Sequence, residues 1–457
     1  MDLKPEGSHS GTDGNVRRSP VTMGLLWVTM VTAFPTVLIG VEWHKQGFSL
    51  MQVIACTLVA SNLLLLYTVP AGMVGASTGK TFGQLAAAVF GRYGCHFATI
   101  HIFWIFSLFY GMTALFMADA VTGLFHPPVS MAVLSFIFGL LMCLNNFWGF
   151  SGVVNFARYF AAPCLILWVM ITFLRAILGL AATPMGAVLM ESSQSWPMAL
   201  TVITSFIIGF AAWGNEADYW RHGRPSVMGT ALPVAASLLV GEVIFPVTGW
   251  MVAQLFHVVD TAAATEVLNR FSFGGLAALA LIVIGAQYFA SQDSNIYGVV
   301  SAIESFFKVP KRLIVFSYGL IGGLIAIWLS ITGLAKSLEA VTSLNCVFLP
   351  GTTVIIIAEW MFGNYIARGS GRIVKGDDTV DLPEGPGFYW PAIAALLVGY
   401  AVGVATSGVL PGLGSLHIGI PFLSGWFAGA GTYLPLRWFA HRRQYHAMTN
   451  DATAAAP

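Results

Sequence analysis

Charge is what this chain has least of. Only 9% of its 457 residues are Asp, Glu, Lys or Arg, against roughly a quarter in soluble domains, so an ordinary water-facing surface is excluded. The formal net charge of +1 gives no sign of an acidic or basic partner, and no nucleic acid is expected. Cysteine is nearly as scarce. Cys56, Cys95, Cys143, Cys164 and Cys346 show no Cys-x-x-Cys spacing and read as small apolar residues, neither disulfides nor zinc ligands. There is no His-Glu-x-x-His zinc motif and no phosphate loop. Gly149-Phe150-Ser151-Gly152 matches a serine nucleophile pattern, but it falls in a predicted turn and no later helix offers a partner histidine. No enzyme is expected. The first 20 residues lack the apolar core and cleavage site of a signal peptide. They are polar, rich in Gly and Ser, carry Arg17 and Arg18, and are expected to form a disordered cytoplasmic tail.

What is there is apolar: 57% of the residues are hydrophobic. Twelve stretches are long enough to cross a bilayer as helices of about 20 residues. They are predicted over 22–44, 50–75, 98–124, 128–150, 155–181, 198–220, 229–257, 274–305, 312–330, 333–366, 388–407 and 416–438. Short amphipathic connectors are expected around 82–94, between the second and third spans, and around 261–271, between the seventh and eighth. Residues 368–386 form the longest polar loop, and 441–457 a polar, Ala-rich cytoplasmic tail. With both termini placed in the cytoplasm, every Lys and Arg except Lys45, Arg175, Arg270 and Lys336 falls on the inner side, including Lys4, Arg368, Arg372 and Lys375, as the positive-inside rule requires. The location expected is the cytoplasmic membrane, and a monomer is expected.

Two spans are interrupted. The first carries Pro35 at its centre, and the sixth breaks into Trp213-Gly214-Asn215-Glu216. Every backbone polar group in lipid must be satisfied, so irregular backbone at mid-depth survives only where it lines a protected cavity. Paired breaks of this kind mark the substrate site of a secondary transporter. The breaks lie five spans apart, and the first span runs outward while the sixth runs inward. Residues 21–181 and 198–366 therefore read as inverted repeats of five spans each, with 387–440 holding two peripheral helices. The fold expected is an all-α polytopic membrane protein.

Candidate site residues follow from the breaks. Phe34, beside Pro35, is either a packed core residue or a stacking partner for a ligand. In the third span His101 and Trp104 stand at i and i+3 on one face, a hydrogen-bonding group beside an aromatic, which suits a planar heterocycle. Asp119 lies further along, near the outer mouth or paired. In the sixth span Gly209 and Gly214 permit unwinding around Phe210, while Asp218 and Arg221 at i and i+3 could pair, and Glu216 has no obvious partner. The eighth span holds the densest polar run, from Gln287 to Tyr297. Gln287, Ser291 and Ser294 share one face there, with Asp293 turned elsewhere. Hydroxyls and carbonyls of this kind can ligate a hard cation, or they can simply hold helices together.

Ala217-Asp218-Tyr219-Trp220-Arg221 resembles the Ala-Asp-Phe/Tyr-x-Arg motif of the nucleobase–cation symporter family, of purine/cytosine permease type. Gly75-Ala76-Ser77-Thr78-Gly79 with Phe90-Gly91 is similar to that family's connector. Leu349-Pro350-Gly351, Ile357-Ala358-Glu359-Trp360 and Tyr389-Trp390-Pro391 are similar to its tenth and eleventh spans. The resemblance implies a five-plus-five inverted-repeat core with two peripheral helices. It also implies that Phe34 stacks on the base, that His101 and Trp104 stand where the family has Gln-x-x-Trp, and that Gly209-Phe210 stand for a Ser-Phe pair. Gln287, Ala290 and Ser291 stand for the sodium-binding Asn-x-x-Thr-Thr, and the sodium carbonyls fall at Met30 and Ala33. Gln292-Asp293-Ser294 replace Asn-Asp-Asn, with Gln292 the implied substrate contact.

The resemblance therefore implies import of a nucleobase or related planar heterocycle by cation symport, with no cofactor. The coupling ion expected is Na⁺. The loss of a hydroxyl at Ala290 leaves H⁺ as the alternative, with Asp293, Glu216 or His101 as carriers. A proton-coupled importer of a pyrimidine precursor or hydantoin-like compound, and a non-concentrating channel or sensor, are the other readings.

Overall fold

The computed structural model describes residues 17–32, 34–181, 192–258, 261–333, 338–366, 373, 387–407 and 420–454. Most of the tail before Arg17, the site position Ala33, and the polar loop with Arg368, Arg372 and Lys375 lie outside the described residues, as do Lys4 and Lys336. Among the described residues all regular structure is helical.

Apolar composition dictates helices, because a helix satisfies its backbone without water. Leu50–Thr78, Gly94–Phe125, Val227–Phe256 and Lys311–Thr332 are single spans of sufficient length and apolarity. Met131–Leu180 is one apolar run of 50 residues, but the tight helical turn Leu144–Trp148 and Gly149, at φ 65°, divide it into the fourth and fifth spans. The fourth helix proper thus ends at Leu141 and the fifth begins at Gly149, displaced from the predicted 150 and 155. The cause is tertiary: Asn145 and Asn146 in the turn both bond Asp293 of the eighth span. The first span is Pro20–Met30 followed by Phe34–Lys45, bent apart. The sixth is Trp196–Ala211 followed by Glu216–Trp220, the eighth Ala277–Phe306, the tenth Leu338–Met361 with Phe362–Ile366, and the eleventh Trp390–Thr406. The twelfth, Pro421–Ala454, continues through the predicted polar tail, whose alanines favour helix. The expected connectors are the helices Phe82–Phe90 and Thr261–Phe273.

The first and sixth spans run in opposite directions. Arg17, just before the first span, donates to the carbonyls of Arg221 and Gly223 at the end of the sixth (2.6 and 3.0 Å) and of Ala76 at the end of the second. At the other end, Gln194 before the sixth span donates to the carbonyl of Gln46 after the first. The second half of the first span, Phe34–Lys45, lies against the seventh at very close range. A Cβ on Gly40 would stand 1.9 Å from the Pro246 carbonyl oxygen, and one on Gly249 would stand 1.9 Å from that of Val37. Small residues let helix backbones meet in lipid. The third span packs against the eighth and ninth, the sixth against the second and tenth, and the eleventh and twelfth against each other and the tenth. That last attachment is polar. Arg437 Nε donates to Glu359 at 2.9 Å and the Tyr433 hydroxyl donates to the same carboxylate at 2.7 Å, all buried.

Candidate functional site

Each broken helix is held open by its own sequence. In the first span Pro35 sits in the opening turn of the second half, Phe34–Lys45, where its missing N–H would find no helical partner in any case. In the sixth, Ala212 is extended and Gly214 takes φ +77°. A side chain at Gly214 would be strained there, and its Cβ would also lie 2.3 Å from the Leu349 carbonyl oxygen. The exposed donors of the break are met by Glu216. Its Oε1 accepts from the backbone N–H groups of Trp213 and Gly214 at 2.9 and 3.1 Å, and its Oε2 accepts from the Tyr67 hydroxyl at 2.9 Å. The Thr353 hydroxyl donates to the Gly214 carbonyl. Glu216 therefore has partners that sequence spacing did not reveal, because two of them are main-chain groups.

Asp218 holds the break from below. Its Oδ1 accepts from the Phe82 N–H (2.8 Å) and the Ser301 hydroxyl (3.0 Å), and its Oδ2 from the Asn215 amide (3.3 Å). Arg221 does not close on that carboxylate as the i, i+3 spacing suggests. Its guanidinium donates to the Asp218 carbonyl and to the Tyr297 hydroxyl, because the carboxylate is already taken up by the connector helix and the eighth span.

Between the two breaks lies a cavity that opens to solvent on one side. Met30 and Pro35 line it from the first span, and Gly209, Phe210, Ala212 and Trp213 from the sixth. The third span contributes Phe106, Phe109, Met112, Thr113 and Phe116, the eighth Ser291 and Asn295, and the tenth Leu349. Phe106 and Trp213 meet at 5.5 Å between ring centroids, and Phe109 and Phe210 at 6.4 Å, both edge to face. The walls are aromatic, with the hydroxyls of Thr113 and Ser291 and the amide of Asn295 as the polar groups. Apolar walls with a few convergent polar groups are what a small-molecule site needs.

The structure brings Met30, Pro35, Gly209, Phe210 and Ser291 to one cavity and leaves other candidates elsewhere. Trp104 is 63% exposed on the outside of the bundle and cannot stack on a ligand in this cavity. Phe106, Phe109, Thr113 and Phe116 face it instead, at i, i+3, i+7 and i+10, a stripe legible as one helical face. His101 turns toward Tyr400 of the eleventh span, ring centroids 6.0 Å apart. Phe34 is buried against Trp168 and Tyr288, the packed-core reading. Gly209 has its own reason to be glycine, since a Cβ would stand 1.6 Å from the Thr342 carbonyl oxygen. Ala290 packs in a cluster with Ala161 and Ala286, and Gln292 is buried, accepting from Asn295 at 3.0 Å. Gln287 is fully buried with neither amide atom bonded. Asp119 is exposed near the end of its span. Asp293 accepts from Asn145 at 2.8 Å and Asn146 at 3.2 Å. Sequence reasoning missed Trp213 as a wall, Asn295 and Leu349.

Residues 17–420 match the family described as permease for cytosine/purines, uracil, thiamine, allantoin. The chain belongs to that family. Cytosine permeases of Escherichia coli strain K12 and of Escherichia coli O157:H7 are each 24% identical over 467 residues, covering 96% of this chain and 98% of the relative. Among solved structures, Mhp1, a nucleobase-cation-symport-1 family transporter in a closed conformation with bromovinylhydantoin bound, superposes with TM-score 0.70 at 17% identity over 96% of each chain. Its inward-facing conformation gives 0.68 at 18% identity, over 96% of this chain and 94% of that one. The permease is accordingly a polytopic membrane transporter with the five-plus-five inverted-repeat fold and two peripheral helices, and not an enzyme.

The exposed position of Trp104 has a direct consequence for the permease. Trp104→Ala is expected to leave ligand binding within about twofold of the parent, since a side chain off the site contributes none of the 1–3 kcal/mol of base stacking. Isothermal titration of the purified variant checks this, and a loss of tenfold or more would put the third span in the other register.

Proposed function

We propose that this permease imports a nucleobase or a related planar heterocycle across the cytoplasmic membrane by cation symport with alternating access. The observation that carries the reading is the aromatic cavity where the two helix breaks converge. Phe106, Trp213, Phe109 and Phe210 offer ring faces and edges to a flat substrate. Asn295, with both a donor and an acceptor, suits the edge of a heterocycle, and the unwound segment borders the same space through Ala212 and Trp213. Residues 21–181 and 198–366 are the two repeats that rock against each other. The permease works as a monomer with both termini in the cytoplasm.

The coupling ion of this reading is Na⁺, taken between the first and eighth spans. Ser291 supplies a hydroxyl and the end of the inner half-helix at Met30 supplies carbonyls. Gln287, with its amide unbonded, lies one turn from Ser291. Ala290 can give only its main-chain oxygen. By linkage, cation and substrate raise each other's affinity by the same factor. Ser291→Ala is therefore expected to weaken sodium-dependent substrate binding about tenfold, the loss of one charge-assisted contact of roughly 1.4 kcal/mol. The check is binding of the parent and the variant with and without Na⁺. Equal binding in both media by the parent would remove sodium from the reading.

The substrate test is a thermal-shift panel of nucleobases, pyrimidine precursors and hydantoins, each with and without Na⁺. A ligand that binds only the folded state raises Tm with its concentration. A panel in which no planar heterocycle moves Tm, while the protein still melts cooperatively, would overturn the proposal.

A further inference from the structure

Among the described residues one buried acid has no hydrogen-bond partner. Glu242 lies at the middle of the seventh span and is 0% exposed, and neither of its carboxyl oxygens has a hydrogen-bond partner. The helix around it is widened into a π-helical turn over Leu239–Ile244. Such turns are frequent at functional positions, though this chain has others at Ala157–Ala161 and Phe362–Ile366. This one abuts the break of the first span. A Cβ on the neighbouring Gly241 would lie 2.2 Å from Thr32 Oγ1 and 3.1 Å from the Val31 carbonyl oxygen, and the buried Thr32 hydroxyl is likewise without a partner.

Among the described residues no opposite charge serves Glu242. The first half of the first span, Pro20–Met30, carries no titratable side chain. On its second half Glu42 pairs with Lys45 and His44 bonds Gln254. The second span brings Cys56 and Tyr67, and Tyr67 is committed to Glu216. The fifth brings Arg158, Tyr159, Cys164 and Arg175; Arg158 lies over the Tyr159 ring, and Arg175 donates to the Phe271 carbonyl. The rest of the seventh span adds only His257 at its end. An ionised carboxylate taken out of water with no partner is far more costly than a neutral acid. Among the described residues nothing is placed to offset a charge on this carboxyl group. The three acid–base groups singled out from sequence are otherwise disposed: Glu216 and Asp293 are hydrogen-bonded, and His101 faces the eleventh span.

We propose that Glu242 is a proton-binding site of the transport cycle, loaded and emptied as the first-span break moves against the seventh span. At one membrane face the carboxylate takes a proton from hydronium and releases water. The neutral acid is carried through the occluded state, and at the other face the proton returns to water. The inference rests on the transport reading above, and it requires proton movement whether or not sodium also binds.

The experiment uses the full chain in proteoliposomes with a pH dye inside and labelled cytosine, adenine, uracil and allantoin as separate probes. Counterflow against the trapped unlabelled compound reports exchange, and the dye reports protons. Inward movement of a transported probe by the parent is expected to acidify the lumen. Glu242→Gln, which mimics the protonated acid in shape and hydrogen bonding, is expected to keep counterflow and lose the acidification, and Glu242→Asp to recover part of it. The proposal is overturned if the parent transports a probe without moving protons, or if Glu242→Gln moves as many as the parent. It is equally overturned if Glu242→Gln and Glu242→Asp both lose counterflow, which marks a packing role. Absence of counterflow by the parent with every probe would instead bring down the transport reading itself, and this site with it.

Discussion

Replacing Glu216 by alanine is expected to abolish transport and to lower the melting temperature of the detergent-solubilised protein. The carboxylate is the acceptor for two main-chain N–H groups at the unwound segment and for the Tyr67 hydroxyl, all in the buried core. A buried donor left without a partner costs about 1–3 kcal/mol, and three are orphaned at once. No water replaces them without widening a break that Leu349 and Thr353 already crowd. Glu216→Gln separates charge from hydrogen bonding. Its amide oxygen can still accept from Trp213 and Gly214, while its NH₂ can donate to the tyrosine oxygen. The glutamine variant is therefore expected to fold and to retain part of the uptake. Uptake and fluorescence-detected melting of both variants check this, and an alanine variant with parental uptake would show that the break needs no side-chain acceptor.

Phe106→Ala carries the second large effect. Phe106 is 2% exposed, lines the cavity and meets Trp213 edge to face. Base–aromatic stacking is worth about 1–3 kcal/mol, so substrate affinity is expected to fall roughly 5- to 150-fold. Phe→Ala in a packed interior also costs stability of about 3–5 kcal/mol, which has to be told apart from lost stacking. Phe106→Leu does so, because it restores most of the volume without the ring. The leucine variant is expected to melt near the parent and still bind weakly. If Phe106→Leu binds as the parent does, the wall of the third span is packing and not a contact.

The spans and their breaks were legible in the sequence because hydropathy, Pro35 and Gly214 are local signals. Part of the cavity lining was legible where a break marks it, at Pro35, Gly209 and Phe210, and at Ser291 on the polar face of the eighth span, while Met30 came from the family resemblance. The lining was not legible on the third span. That helix carries aromatics all round, at Phe103, Trp104, Phe106, Phe109 and Tyr110, so its sequence fits several registers and only its packing against the eighth and ninth spans selects one. The i, i+3 spacing of His101 and Trp104 is real, but the two side chains meet different surroundings, Tyr400 for one and the outside of the bundle for the other. Glu216 and Asp293 lacked visible partners because their partners are main-chain groups or residues more than a hundred positions away. Glu242 stands out only once burial shows that nothing answers it.

The central claim is that the cavity between the two breaks takes a planar heterocycle and that the permease concentrates it. The most direct measurement is accumulation of labelled nucleobase in proteoliposomes under an imposed inward cation gradient, with the gradient collapsed by ionophore as the control. The expected result is an internal concentration above the external one that dissipates when the gradient is collapsed. Equilibration without accumulation under every cation gradient would contradict the account and mark the protein as a channel.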